Sequence, residues 1–226
     1  MSVSYTHLKS DEKVIKIGVF EPTTGENGGG GYQEVLGIRY AREMHPTVNI
    51  GGEEYTVKLV EVDNKSDKTE AVNAAQKLVS EKVSVVLGSY GSGVSIAAGQ
   101  IFADAKIPAI GCSCTNPQVT EGNDFYFRVC FIDPFQGTVM ANYAYQNGAK
   151  NAAVITQLGD DYSSGLGSYF KEAFAFNASI NGAKASTVAD LSDASCNKTT
   201  DVLYFTTSSI TFATISSDEY LSLIHI

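Results

Sequence analysis

The stretch that most constrains the fold of this chain runs from Gly88 to Pro117. It reads Gly-Ser-Tyr-Gly-Ser-Gly-Val-Ser, then a helical run, then Ile-Pro-Ala-Ile-Gly-Cys-Ser-Cys-Thr-Asn-Pro. A β-branched run, Val83–Leu87, feeds a turn of small residues, and the turn opens a helix from Ser92 to about Ala105. Ile107–Ile110 is the next strand and ends in a second polar loop. Such a strand–loop–helix–strand–loop unit puts two hydroxyl-rich loops at the carboxyl ends of neighbouring parallel strands. In an open α/β sheet, small ligands bind at that edge. Ser92 lies where backbone N–H groups have no partner inside the helix and where the helix dipole favours an anion. Ser113 and Thr115 lie on the adjoining loop. The arrangement suits a small carboxylate, and the same residues would also serve as ordinary caps and turn formers.

The rest of the chain repeats the alternation. Val14–Phe20 is a short, mostly apolar strand of the kind found at the centre of a parallel sheet. Gly28–Gly31 breaks both nucleotide-binding glycine patterns and is expected to form a flexible loop rimming a cleft. A helix is predicted from Tyr32 to Met44, with Tyr32, Leu36, Tyr40 and Met44 recurring every four residues, Val35 and Ile38 beside them, and Pro46 ending it. Gly51-Gly52 makes a turn before a second strand, Tyr55–Asp63. Asp67 and Glu70 resemble a capping pair for a helix burying Ala71, Ala74, Ala75 and Leu78. After Pro117, Phe125–Phe131 reads as a strand. A helix then starts at Pro134, carries Phe135, Val139 and Tyr143 on one face, and stops at Asn147-Gly148. Ala152–Thr156 and a helix from about Ser163 to Phe176 begin a second βα series. The order of elements predicts an α/β fold: one parallel sheet with helices on both faces, then an incomplete second α/β lobe.

Composition excludes several classes of function. A formal net charge of −9 argues against nucleic acid as a partner, because its binders carry a basic face. No apolar run is long enough to span a bilayer. Met1–Lys13 is polar, with no hydrophobic stretch typical of a signal peptide. Cys112, Cys114, Cys130 and Cys196 lack metal or redox spacing and read as small buried thiols. No metal and no cofactor is expected. An enzyme would need a base, a nucleophile or a metal set. Asp133, Asp160 and Asp161 are the nearest candidates, and no histidine or lysine accompanies them in the motif loops.

Several motifs, taken together, resemble those of the type I periplasmic binding proteins, in particular the leucine/isoleucine/valine-binding branch. They are Lys16-Ile17-Gly18-Val19 with Thr24-Gly25; Asp63 followed by Ala71-Val72; Gly88-Ser89-Tyr90-Gly91-Ser92; Ile107-Pro108-Ala109-Ile110 through Thr115-Asn116-Pro117; Phe127-Arg128; and Tyr162-Ser163-Ser164-Gly165. The match covers about residues 14–176. The resemblance implies two α/β lobes with a ligand closed between them, and a role as the substrate-binding subunit of an ABC importer. It implies a free amino acid as ligand, branched-chain or otherwise aliphatic, a permease as partner, and an extracytoplasmic location. Ser92 and Thr115 match residues that hold the α-carboxylate. Ser113 matches a position whose backbone carbonyl receives the ammonium. Tyr162 matches a second-lobe residue that reaches the ligand on closure, or is a packed loop aromatic. Tyr90 is expected to wall the side-chain pocket.

The resemblance also sets the expected boundaries: a polar segment 1–13, a first lobe 14–132, and a partial second lobe 133–226. Beyond about Phe176 the match fades into Asn177–Asn197, rich in Ala, Ser and Asp. Asp201–Phe205 then resembles a lobe-two strand arriving too soon. A truncated or altered end that packs poorly is the expectation. A ligand-sensing domain of a receptor or regulator shares the fold and is the alternative function.

Overall fold

The computed structural model describes residues 13–149, 151–181, 184–187, 202–205 and 222–225. The chain forms two compact units. The first holds residues 1–113 and 122–129, and the second holds 114–121 and 130–226. The chain therefore passes between them after Ser113, Glu121 and Val129.

The first unit is a six-stranded sheet built from β1 (Val14–Glu21), β2 (Thr47–Ile50), β3 (Glu53–Asp63), β4 (Val85–Leu87), β5 (Ala109–Gly111) and β6 (Tyr126–Arg128), in the order β2-β3-β1-β4-β5-β6. Helices α1 (Gly28–Met44), α2 (Lys68–Ser80) and α3 (Ser92–Asp104) connect them. β1 lies parallel to β3, from Val14 opposite Thr56 to Glu21 opposite Asp63, and parallel to β4 on its other side. Ile17, Val86 and Ile110 thus share one sheet, as the alternation predicts. Successive side chains of a strand face opposite sides. Val19 packs with Val35 and Ile38 of α1, while Phe20 meets Phe102 of α3 edge-on at 5.5 Å. Helices therefore cover both faces of β1, which explains its apolar sequence. The Asp67 carboxylate caps α2, accepting from the N–H groups of Thr69 and Glu70. Ala71, Ala74, Ala75 and Leu78 are its buried face, as expected.

Three expectations for this unit are corrected. Gly28–Gly31 is not a loop but the first turn of α1. Two of the glycines, Gly30 and Gly31, allow close approach. A Cβ on Gly30 would lie 2.6 Å from the Tyr90 ring, and one on Gly31 would strike the Pro22 carbonyl. The buried stripe of α1 is Gly28, Gly31, Val35 and Ile38, whereas Tyr40 and Met44 are 65% and 58% exposed. A strict four-residue spacing drifts around a helix of 3.6 residues per turn, while alternating steps of three and four stay on one face. Finally, Thr47–Ile50 is an exposed edge strand that pairs antiparallel with β3. Its turn places Gly51 and Gly52 at positive φ, the backbone a two-residue hairpin needs.

The second unit contains α4 (Asp133–Gln146), β7 (Asn151–Ile155), α5 (Asp161–Asn181), β8 (Lys184–Thr187), β9 (Val202–Phe205) and β10 (Ser222–His225). Its sheet has the order β10-β9-β7-β8, with every described pair parallel. The core combines Ala141 and Ala144 of α4, Ala152 and Val154 of β7, and Leu166, Phe170 and Phe174 of α5. Gly137 lets α4 approach α5 closely, since a Cβ there would come 2.8 Å from the Phe170 nitrogen. The face of α4 carrying Phe135, Val139 and Tyr143 is exposed; the buried residues are Asp133, Gln136, Gly137, Ala141 and Ala144. The strand expected over Phe125–Phe131 is limited to β6, and Val129 and Phe131 are exposed. α5 continues past Phe176, and the Asn177 amide donates to the Asn142 side-chain oxygen at 2.7 Å. Residues 1–12, Cys196 and the hydroxyl-rich stretch Thr206–Thr214 lie outside the described residues.

Candidate functional site

In the first unit the candidate residues gather at the carboxyl ends of β1, β4 and β5. Ser92 is the first residue of α3 and only 3% exposed. Gly91 precedes it in extended backbone with no side-chain cap, and the first turn contains no acidic residue. That helix end presents backbone donors and the positive pole of a 13-residue helix. Tyr90 lies with its ring against Gly30, and its backbone N–H donates to Glu21 Oε2 at 2.7 Å. The Ser113 hydroxyl donates to Glu34 Oε1 at 2.5 Å and lies 3.4 Å from the Tyr90 carbonyl. The structure thus brings Tyr90, Ser92 and Ser113 to one set of loops.

Two acids support those loops. Asp63, at the end of β3, accepts from the Thr24 hydroxyl at 2.5 Å and from the N–H groups of Thr23 and Lys65 at 2.9 and 2.8 Å. Partial desolvation alone would raise its pKa, but these donors outweigh it and hold the carboxyl at about 2. Glu21, at the end of β1, is fully buried. Burial first, and then the hydrogen bond to and the charge of Glu34, push it up to about 10.

Thr115 and Tyr162 belong to the second unit. Thr115 is 6% exposed, and its carbonyl accepts from the Asp133 N–H at 3.1 Å. Its buried hydroxyl has no hydrogen-bond partner among the described residues. Asn116 ties this loop to the start of α5: its amide donates to the Asp161 carbonyl at 2.8 Å, while its side-chain oxygen accepts from the Gln118 N–H. The Gln136 amide donates to the Tyr162 hydroxyl at 3.2 Å, and the Tyr162 ring packs on the second core. Asp133 and Gln136, one helical turn apart on α4, therefore link Thr115 to Tyr162 within one unit.

The sequence did not single out Glu21, Glu34 or Gln136. A signal existed for two of them. Glu21 ends an otherwise apolar strand, and Glu34 stands three residues after Gly31 and four before Ile38, on the buried side of its helix. Cys112 and Cys114 are half-buried and buried thiols, as expected.

A parallel α/β unit with hydroxyl-bearing loops at the carboxyl ends of its strands, followed by a second parallel α/β unit, is the architecture of a type I periplasmic binding protein. The family model described as periplasmic binding protein matches residues 14–190, and the chain belongs to that family. An amino acid binding protein of Pseudomonas aeruginosa is 38% identical over 165 residues, which cover 71% of this chain and 42% of that protein. The crystal structure of a leucine-binding protein, LivK of Thermotoga maritima, is 42% identical with a TM-score of 0.71, covering 77% of this chain and 48% of that one. LivJ of Streptococcus pneumoniae, a branched-chain amino acid transporter substrate-binding protein in complex with isoleucine, is 28% identical with a TM-score of 0.71, covering 84% and 56%. The chain thus spans less than two thirds of the length of these relatives. They are substrate-binding proteins, not enzymes. No described helix is long and apolar enough to cross a membrane.

Proposed function

We propose that this chain carries the amino-acid-binding site of an extracytoplasmic receptor for an ABC importer, and that its ligand is a free aliphatic amino acid. Ser92 and the N-terminus of α3 receive the α-carboxylate together with the Thr115 hydroxyl. The Ser113 carbonyl accepts from the ammonium, Tyr90 borders the side chain, and Tyr162 closes over it. A transport permease is the partner of the complete protein. The observation that carries this reading is the Thr115 hydroxyl, a buried polar group with no partner among the described residues. Leaving such a group unsatisfied costs about 1–3 kcal/mol, which a ligand carboxylate would offset. The relatives named above as leucine- and isoleucine-binding support the aliphatic side chain.

The ligand's charges are met by a helix dipole, hydroxyls and a carbonyl rather than by an ion pair. A few charge-assisted hydrogen bonds of ~1.5–3 kcal/mol each, less ordering costs, give ~8 kcal/mol, or micromolar affinity. Such a site can release its ligand to a transporter. Titration calorimetry of the chain with the twenty standard amino acids tests the reading. Leucine, isoleucine or valine should bind best, and L-leucinamide, which lacks the carboxylate, should bind far more weakly. Equal binding of leucine and its amide would sink the carboxylate assignment.

A further inference from the structure

Two carboxyl groups converge beneath the loops that carry Tyr90 and Ser113. Glu21 comes from the end of β1 and is fully buried; Glu34 comes from the inner side of α1 and is half-buried. A carboxylate oxygen of each and the Cys112 sulfur lie within 4.8 Å of one another. Each carboxyl group has one oxygen engaged by a loop: Glu21 Oε2 accepts from the Tyr90 N–H, and Glu34 Oε1 accepts from the Ser113 hydroxyl. Each also keeps one buried oxygen, Glu21 Oε1 and Glu34 Oε2, with no donor among the described residues. Two ionised carboxylates this close in a buried place repel each other. One proton shared between the two groups removes a charge and replaces the repulsion with a charge-assisted hydrogen bond.

We propose that Glu21 and Glu34 share one proton and act as a positioning pair, fixing the β4–α3 loop through the Tyr90 N–H and the loop after β5 through the Ser113 hydroxyl. Glu21 carries the proton and donates it to Glu34, which also accepts from the Ser113 hydroxyl. One side chain from each of two elements thereby sets the distance between two ligand-bearing loops. The titratable groups facing Glu21 are Glu34 on α1 and Cys112 after β5, while Tyr90 after β4 meets it through the backbone N–H alone. Ser89 also faces it, held by the Asn64 amide at 2.9 Å. The upward displacement of Glu21 to about 10 agrees with a proton retained at neutral pH. The effect on ligand affinity rests on the amino-acid-binding reading above; the shared proton does not.

Three measurements on the 226-residue chain test the proposal. Infrared spectroscopy at neutral pH should show the band of a protonated, buried carboxyl group, and Glu21→Gln should remove it. Thermal midpoints should be followed from about pH 5 to about pH 9. The folded chain keeps a proton that the unfolded chain releases above the ordinary glutamate pKa, so wild-type stability falls with rising pH until about 10. Glu21→Gln cannot ionise there, and its midpoint should exceed that of the wild type by a margin that widens with pH. In calorimetry with L-leucine, Glu21→Ala should weaken binding by about tenfold or more, and Glu21→Gln should recover most of the loss.

A missing carboxyl band, or a midpoint margin that stays flat with pH, overturns the shared proton. So does equimolar zinc that erases the band and raises the midpoint, because the cluster is then a cation site. Equal affinities for the Ala and Gln variants overturn the positioning role. A wild-type chain that binds no L-leucine overturns the functional reading alone, and the band and the margin still decide the proton.

Discussion

At the scale of single residues, acids at strand ends organise the loops of the first unit. Asp63 gathers donors from both Thr23 and Thr24, some 40 residues earlier in the chain, and from Lys65 beside it. Because the group is half-buried and its lost donors can turn partly to water, Asp63→Ala should cost only about 1–2 kcal/mol, measurable as a lower midpoint in urea. Its pKa is depressed to about 2, so its contribution is complete above the ordinary value of 3.8 and is lost as pH falls through about 2. Asp63→Asn should flatten stability over that acidic interval; an unchanged acid limb would contradict the assignment. Asp63 stood in a legible motif, but its task did not, because its partners lie far away in sequence. Glu21 was missed for a related reason. Sequence periodicity assigns a carboxylate at a strand end to solvent, and only the folded sheet reveals α1 lying over it.

At the scale of elements, the type and order of helices and strands follow from local chemistry. The cap at Asp67 and the alanine face of α2 were legible because they depend on neighbours within one helical turn. The buried faces of α1 and α4 were not, because each helix offers two apolar stripes and glycine marks the inner one in both. Large side chains attract attention in a sequence, yet close packing of α1 on Pro22 and of α4 on α5 is achieved where side chains are absent. Two substitutions in the same turn of α1 separate these ideas. Gly31→Ala should destabilise by about 1–3 kcal/mol, because the new methyl group meets the backbone of Pro22. Gly29→Ala meets nothing within 4 Å and should be neutral or stabilising by up to about 1 kcal/mol, since alanine is the better helix former. Chemical denaturation of both variants decides the matter, and equal destabilisation would mean that this turn is not packed as described.

At the scale of the whole molecule, the chain crosses between its two units three times, and the proposed ligand residues fall on both sides of the first crossing, with Ser113 before it and Thr115 after it. The α/β class and the positions of the motif loops were legible because parallel βα units repeat one local grammar. The expectation of a poorly packed end was drawn from fading motif matches; among the described residues, the last turn of α5 and the short strands β8, β9 and β10 lie past Phe176. Hydroxyls and helix ends are common, so the topology of the loops left a carboxylate site beside ordinary capping, and the resemblance of ordered motifs chose between them. In three dimensions the buried Thr115 hydroxyl adds a physical reason. The most direct measurement is the affinity for L-leucine, by titration calorimetry, of the wild-type chain, Ser92→Ala, Thr115→Ala and the double variant. Each single substitution should weaken binding by about tenfold or more, as expected for a lost charge-assisted hydrogen bond, and the double variant should weaken it further. Affinities within about twofold of the wild type in all three variants would contradict the carboxylate site.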